Sequence, residues 1–406
     1  MSQSARLSDL SSRLVELRRA VHRHPEVGLH LPNTQRLIVE TLERLPLEVT
    51  LGKGLSSVTA VLRGTRPGPT VLLRADMDAL PVTEAAKSDI RSEVDSVMHA
   101  CGHDLHVAML VGGAHLLAAH REELAGDVVF MFQPGEENDD GAGMMIEEGV
   151  LEASGTRPLA AYALHVTSSR FDNGVFASRG GPIMASSDNL AVTIQGAGGH
   201  ASAPHLALDP IPVACEVVLA IQTLVTRSLD VFDPALITVG TINAGTRSNV
   251  IPDTAAFEAT IRSFSETTRT KLYESLPRLV SNIARAHGLS AKVDITPGYP
   301  VMRNHESETD FLADTVRGLF GEEGYVAMPE PLISSEDFSR VLRAVPGAFA
   351  MLGACPPGEN PATAPYNHSP EATFDESILM RGAELFCALA VSRLALAESA
   401  TTTEAG

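Results

Sequence analysis

The densest group of reactive side chains is Met98-His-Ala-Cys-Gly-His-Asp-Leu-His106. Here three of fourteen histidines (His99, His103, His106) fall within eight positions that also hold Cys101. A thiolate and imidazoles at this spacing can close on one metal ion. The same stretch also fits a polar loop entering a helix over 107–119. Cys101 beside His103 further fits a thiol nucleophile whose pKa is lowered at a helix N-terminus. A second group, Gln133-Pro-Gly-Glu-Glu137, directly follows a strand-like apolar run. Adjacent carboxylates at a strand end point in different directions, so one can bind metal while its neighbour takes a proton from an activated water. A solvated acidic pair is the alternative, and the following Asn138-Asp-Asp-Gly-Ala-Gly suits it. In Leu73-Arg-Ala-Asp-Met-Asp-Ala-Leu-Pro81, Asp76 and Asp78 alternate and can share one face, suited to orienting a metal-bound imidazole. His165, in Ala163-Leu-His, and His368, in Asn367-His-Ser-Pro370, are lone imidazoles of a kind more often structural than ligating.

These groups need a scaffold. Leu7, Leu10, Leu14, Leu17 and Val21 recur at steps of three and four, predicting an opening helix that ends near His24 because Pro25 disfavours helical geometry before it. Apolar runs at 57–62, 70–73, 127–132 and 160–166, separated by helical stretches, predict a largely parallel sheet covered by helices on both faces. Ligands of such sheets sit beyond the carboxyl ends of the strands. From about residue 186 the pattern changes: a strand over 190–195, a helix over 209–228, strands over 235–242 and 255–262, a helix over 266–287 kinked at Pro277, and a strand over 291–295. That β-α-β-β-α-β order is that of a small α/β sandwich with an antiparallel sheet. The expected organisation is therefore an α/β catalytic domain, 1–185 and 301–397, interrupted by a satellite domain over 186–300 and followed by a disordered tail over 398–406.

Composition bounds the function. Of 406 residues 44% are apolar, 20% charged and 4% aromatic, which excludes wholesale disorder and collagen-like chains and supports a full core. Lys and Arg number 31 against 50 Asp and Glu, a net charge of −19 that would repel phosphate backbones, so nucleic acid is excluded as a partner. The N-terminal stretch has no apolar signal-peptide core. No uninterrupted apolar run approaches the roughly 20 residues of a membrane span, so a cytoplasmic protein without a membrane partner is expected. Cys101, Cys215, Cys355 and Cys387 show no paired spacing, against a disulfide framework.

In combination the motifs match a family. His24-Pro-Glu, Arg74-Ala-Asp-Met-Asp-Ala-Leu-Pro, Met98-His-Ala-Cys-Gly-His-Asp-x-His, Gln133-Pro-x-Glu-Glu, Leu164-His165, Gly198-Gly-His-x-Ser-x-Pro-His205, Ser248-Asn-Val-Ile-Pro252, Ser335-Glu-Asp-Phe338 and His368-Ser-Pro occur in order. The set resembles the N-acyl-amino-acid amidohydrolases, metallopeptidase relatives that include aminoacylases, hippurate hydrolases and auxin-conjugate hydrolases. The resemblance implies a two-metal peptidase-like catalytic domain, with a mostly parallel central sheet, interrupted by a lid or dimerisation domain. Residue by residue, it places Cys101, His103, Glu137, His165 and His368 on ligands of two divalent cations (Mn, Zn, Co or Ni) and Glu136 on the general base. Asp76 and Asp78 would support the ligands. His200 falls on a satellite histidine that reaches the substrate carbonyl, often in the partner subunit's active site, and Asn249 and Arg262 on polar groups near the substrate carboxylate. The implied partners are a small-molecule N-acyl-amino acid and a second copy of the chain, in a homodimer or higher homo-oligomer. A dipeptidase or carboxypeptidase-type metallopeptidase, a Cys101-dependent thiol hydrolase and a non-catalytic binding protein are the alternative readings.

Three departures from the family pattern bear on loop flexibility, pocket shape or metal preference. Gly135 stands where relatives usually carry Ala, Asn138-Asp-Asp replaces a more Gly-rich stretch, and Ser96 stands where Gly is common. None removes a ligand.

Overall fold

The computed structural model describes residues 3–86 and 89–404, and the chain divides into two compact units. The first comprises the chain up to Gly181, 303–330 and the chain from Arg340; the second comprises 182–302 and 331–339.

The first unit opens with α1 (Gln3–Arg23), α2 (Pro32–Leu42), β1 (Leu47–Leu51), β2 (Val58–Leu62) and β3 (Arg66–Asp76). It continues with α3 (His103–Ala119), β4 (Ala125–Gln133), α4 (Gly141–Glu147), β5 (Ala160–Thr167) and β6 (Phe176–Ser178). The chain leaves it through β7 (Gly181–Met184). The second unit carries β8 (Asp188–Gln195), β9 (Gly199–His200), α5 (Pro210–Ser228), β10 (Ala235–Ala244), β11 (Val250–Ile251), β12 (Thr254–Ser263), α6 (Glu266–Ala286) and β13 (Ser290–Pro297). The chain returns through β14 (Met302–Asn304) to α7 (Glu306–Phe320), β15 (Tyr325–Ala327), α8 (Ser339–Ala344), β16 (Gly347–Gly353) and α9 (Leu379–Glu404).

As Pro25 requires, α1 ends just before His24-Pro25. Glu26, in the same motif, accepts hydrogen bonds from the backbone N–H groups of Asn33 and Thr34 at 3.2 and 2.9 Å, capping α2, which has no side-chain cap of its own. The eight strands order as β1-β2-β4-β3-β5-β16-β6-β15. Its centre is parallel, β4 with β3, β3 with β5 and β5 with β16. The sheet is nonetheless mixed: β1 and β2 run antiparallel to each other, and β2 antiparallel to β4. The short connection from Leu51 to Val58 closes a hairpin, which only antiparallel strands permit.

The first core joins Leu14, Leu17 and Val21 of α1, Leu105 to Ala114 of α3 and Leu385 and Leu389 of α9 to β3, β4 and β5. Every residue from His103 to Ala114 is buried, so the first three turns of α3 lie within the core rather than showing one polar face. It begins at His103, four residues before the expected start. The tail also departs from expectation: α9 continues to Glu404, with no Pro or Gly to stop it and with Glu398 paired to Arg66 at 2.6 Å, so the segment expected to be disordered is helical up to that point. Residues 405–406 lie outside the described residues.

The second unit has the β-α-β-β-α-β order read from its periodicity. Its sheet runs β10-β12-β8-β13 with every neighbouring pair antiparallel. Strand β8 alternates buried and exposed along its whole length, and Val192, Ile194, Phe257 and Ile261 pack with Val217 and Ile221 of α5 and Leu272, Leu276 and Val280 of α6. Asp209 caps α5 by accepting the Ile211 N–H at 3.0 Å, and Ser265 caps α6 by accepting that of Thr268 at 3.0 Å. Helix α6 runs through Pro277 without interruption. Among the described helices α5 alone is long and apolar enough to cross a membrane by length and composition; here it lays Val213, Ala214, Val217 and Ile221 into the second core.

Candidate metal centre

Three neighbouring parallel strands present their carboxyl ends at one edge of the first sheet. Asp76 ends β3 with Asp78 two residues on, Gln133 ends β4 three residues before Glu136, and His165 sits near the end of β5. Helix α3 delivers Cys101 and His103 to the same edge around Gly102. That residue is left-handed, φ +83°, and a Cβ there would lie 2.4 Å from Val166 Cγ2, so only glycine fits between the two donors. His368 enters from the connection between β16 and α9, itself left-handed (φ 71°) and anchored by its N–H to the Ala100 carbonyl at 2.8 Å. Strained backbone of this kind concentrates at functional sites.

The donors converge. Cys101 Sγ stands 3.4 Å from His165 Nε2 and 3.3 Å from His368 Nε2, and His368 Nε2 lies 3.0 Å from Glu137 Oε1. Donor atoms of Cys101, His103 and His165 lie within 4.8 Å of one another, as do those of Cys101, Glu137 and His368, and those of His103, Glu136 and Glu137. Donors about 2.0–2.3 Å from a tetrahedral cation stand roughly 3.3–3.7 Å apart, which is the spacing found around Cys101. His103 is fully buried with neither ring nitrogen in a hydrogen bond. Orphaned polar atoms of this kind, beside a cysteine sulfur, fit a bound cation. The site opens on one side: the His368 side chain is 53% exposed, that of Glu137 only 11%.

Outer partners fix the rings. His165 donates Nδ1–H to the Val166 carbonyl at 2.7 Å, leaving Nε2 as the free donor to an ion. Burial, with His106 nearby, holds His165 well below the usual imidazole range and so neutral. Asp78 approaches His103 Nδ1 at 3.3 Å with one oxygen and accepts the Glu137 N–H at 3.0 Å with the other. Asp76 behaves differently from Asp78. Arg74 and His106 both reach it at 2.5 Å, and it stands 3.7 Å from His103. Burial would raise the Asp76 carboxyl, but Arg74, His103 and His106 outweigh it and hold it well below its ordinary value. For Glu137, burial is likewise outweighed, here by the His368 hydrogen bond and the charge of His103. Hydrogen bonds to Cys101 and Glu137 push His368 up to about 10, so a proton there competes with a cation.

Thus Cys101, His103, Glu136, Glu137, His165 and His368 come together. The other two histidines of the dense motif do not join them as donors: His106 is committed to Asp76 and Val166, and His99 is buried beside Asp104 and His22. Sequence reasoning passed over Asn367, which donates to the Cys101 and Val166 carbonyls at 3.2 and 3.0 Å; its adjacency to His368 was the available signal. The second unit places the remaining candidates. His200 is exposed, and its Nδ1 accepts from Ser202 N–H at 3.1 Å, so Nε2 is the nitrogen left to donate. Asn249 is exposed and its carbonyl accepts the Ala201 N–H at 3.1 Å. Arg262 on β12 is half-buried, burial lowers its pKa, and its Nη1 has no hydrogen-bond partner among the described residues.

The departures from the family pattern have a common geometry. Gly135 is left-handed (φ +71°), and a Cβ there would lie 2.5 Å from Leu29 Cδ2. Asn138 (φ 83°), Asp140 (φ 55°) and Ser96 (φ 61°) are left-handed where glycine would be unstrained; Asn and Asp are the side chains that best tolerate this region.

Comparison with known proteins identifies the family. The profile of Peptidase family M20/M25/M40 matches residues 72–392. The chain is 40% identical to Thermostable carboxypeptidase 1 of Saccharolobus solfataricus, covering 93% of this chain and 94% of that one. It is 36% identical to IAA-amino acid hydrolase ILR1-like 4 of Arabidopsis thaliana, covering 96% and 88%. The crystal structure of Bacillus subtilis YXEP, described as a dinuclear metal binding peptidase from the M20 family, superposes with a TM-score of 0.82 at 31% identity, covering 95% and 99%. With this match over most of its length, the chain belongs to Peptidase family M20/M25/M40 and is a metal-dependent hydrolase of its amidohydrolase and peptidase members.

Proposed function

We propose that the protein hydrolyses the amide joining an acyl group to an amino acid that keeps its free carboxylate. The observation that carries this reading is the division between two consecutive acids: Glu137 is committed to His368 at 3.0 Å, while Glu136 groups with His103 and Glu137 at the edge of the donor cluster. Cys101, His103, Glu137, His165 and His368 would hold two divalent cations, with Mn, Zn, Co and Ni all compatible with a mixed thiolate, imidazole and carboxylate set. Bound there, such ions would acidify a water and polarise the scissile carbonyl. Glu136 takes the water's proton and returns it to the amine nitrogen as the C–N bond breaks. His200 donates from Nε2 to the carbonyl oxygen as charge develops, a contribution of roughly 3–4 kcal/mol. Arg262 offers its unpaired Nη1, and Asn249 its amide, to the amino acid's carboxylate. The outer strand β10, uncharged and largely exposed, is the edge through which we infer a homodimer.

Elemental analysis and a chelator test this reading. Chelation should abolish turnover of N-acetyl and N-benzoyl amino acids, and Mn²⁺ or Zn²⁺ should restore it. Glu136→Gln should keep its metal and lose about 10²–10⁴ in kcat; near-wild-type turnover by that variant would remove Glu136 from the role of base. The name of the carboxypeptidase relative supports a second reading, cleavage of a C-terminal residue from a blocked dipeptide; a panel with acyl dipeptides separates the two. Activity lost to a thiol alkylator but indifferent to chelation would instead select a Cys101 nucleophile.

A further inference from the structure

We propose that Arg340 is a positioning residue for the Glu136–Glu137 loop, acting through a two-pronged ion pair with Asp140. This rests on the roles given to Glu136 and Glu137 above. The loop from Pro134 to Gly141 reverses direction with three positive φ angles, at Gly135, Asn138 and Asp140. Near its start it is closed by the Gly141 N–H to the Gly135 carbonyl at 3.1 Å, and in its middle by the Glu137 N–H to Asp78 at 3.0 Å. Its far end is Asp140, which sits at the N-cap of α4 yet makes no side-chain cap there. The carboxylate instead takes two bonds from Arg340 on α8, Nε to Oδ1 at 3.0 Å and Nη2 to Oδ2 at 2.8 Å. A fork of this kind fixes direction as well as distance. A left-handed non-glycine residue that forgoes its local cap is unfavourable by itself. The pair with a side chain 200 positions away offsets that cost, and it holds the far end of the loop that carries the proton-transferring and ion-binding acids, whose middle Asp78 holds.

The test compares Arg340→Gln and Arg340→Lys with the full-length wild type in three measurements: kinetics on an N-acyl-amino acid, Mn²⁺ titration and hydrogen–deuterium exchange of the loop amides. Arg340→Gln should speed exchange of the Gly141 amide at least tenfold, weaken Mn²⁺ binding, and lower kcat at least fivefold with KM within twofold. Lysine, a point charge without a fork, should recover part of each. Asp140→Asn should reproduce the Arg340→Gln result, and in an Asp140→Gly background Arg340→Gln should have no further effect. Unchanged loop exchange and kcat would overturn the proposal. So would losses equal in the Gln and Lys variants and persisting in the Asp140→Gly background, since these would indicate a general staple. If the wild type turned over no acyl-amino acid, the proposed function would fall, while exchange and Mn²⁺ titration would still report on the loop.

Discussion

His106 donates Nδ1–H to Asp76 Oδ1 at 2.5 Å and accepts the Val166 N–H at Nε2, 2.8 Å away, so neither ring nitrogen keeps a lone pair for an ion. A histidine three residues from a donor histidine, in a motif dense with imidazoles, is thereby a strut. It ties β3 to β5 beneath the site. His106→Gln should lower stability by about 1–3 kcal/mol, the cost of leaving buried partners unsatisfied, and retain the full metal complement, whereas His103→Gln should lose metal. Thermal melting with elemental analysis of both variants checks the contrast.

Gly135 offers a steric prediction. A methyl group at this left-handed position would lie 2.5 Å from Leu29 Cδ2 and 3.1 Å from Asp139 Cβ. Gly135→Ala should therefore cost about 1–3 kcal/mol and depress kcat by displacing Glu136. Leu29→Ala in the same chain should relieve the clash but not the backbone strain, recovering part of the melting temperature.

Arg262 should act on binding rather than on the chemical step. Arg262→Met removes charge-assisted bonds worth about 1.5–3 kcal/mol, so KM should rise roughly ten- to a hundredfold with kcat little changed. Substrates whose carboxylate is capped as an amide should show no such difference between the variant and the wild type.

The second unit should carry an alkaline signature. Burial, and then the hydrogen bond to Asp188 at 2.7 Å, push the Tyr273 phenol up to about 12. A hydroxyl whose folded pKa lies above its unfolded value near 10 contributes stability that is complete below about pH 10 and lost as pH rises towards 12. Urea midpoints should fall across that window, and Tyr273→Phe should flatten the fall. With five tyrosines and no tryptophan, phenolate absorbance can follow the same titration directly.

Much of this architecture was legible because burial there is one-sided or periodic. Strand β8 alternates without a fault, and Pro25 stops α1. Where burial is complete, periodicity vanishes: α3 is enclosed from His103 to Ala114, so its polar-looking first turn read as a loop. Strand β1 was missed for the opposite reason, since four of its five residues are exposed at the sheet edge. At the site, composition and spacing singled out Cys101, His103 and the Glu136–Glu137 pair, but could not separate His106 from a ligand. That distinction depends on Asp76 and the Val166 backbone, which lie 30 and 60 positions away in the chain. His165 and His368 each stood alone in the sequence, and only the parallel pairing of β3, β4 and β5 and the anchor of His368 on Ala100 bring them beside Cys101.

The anchor of His368 on Ala100 spans most of the polypeptide. A chain cut short before residue 368 lacks that imidazole and also α9, whose Leu385 and Leu389 join the core with α3, the helix that opens at His103. Docking of the C-terminal segment is therefore coupled to the placement of His103 as well as of His368.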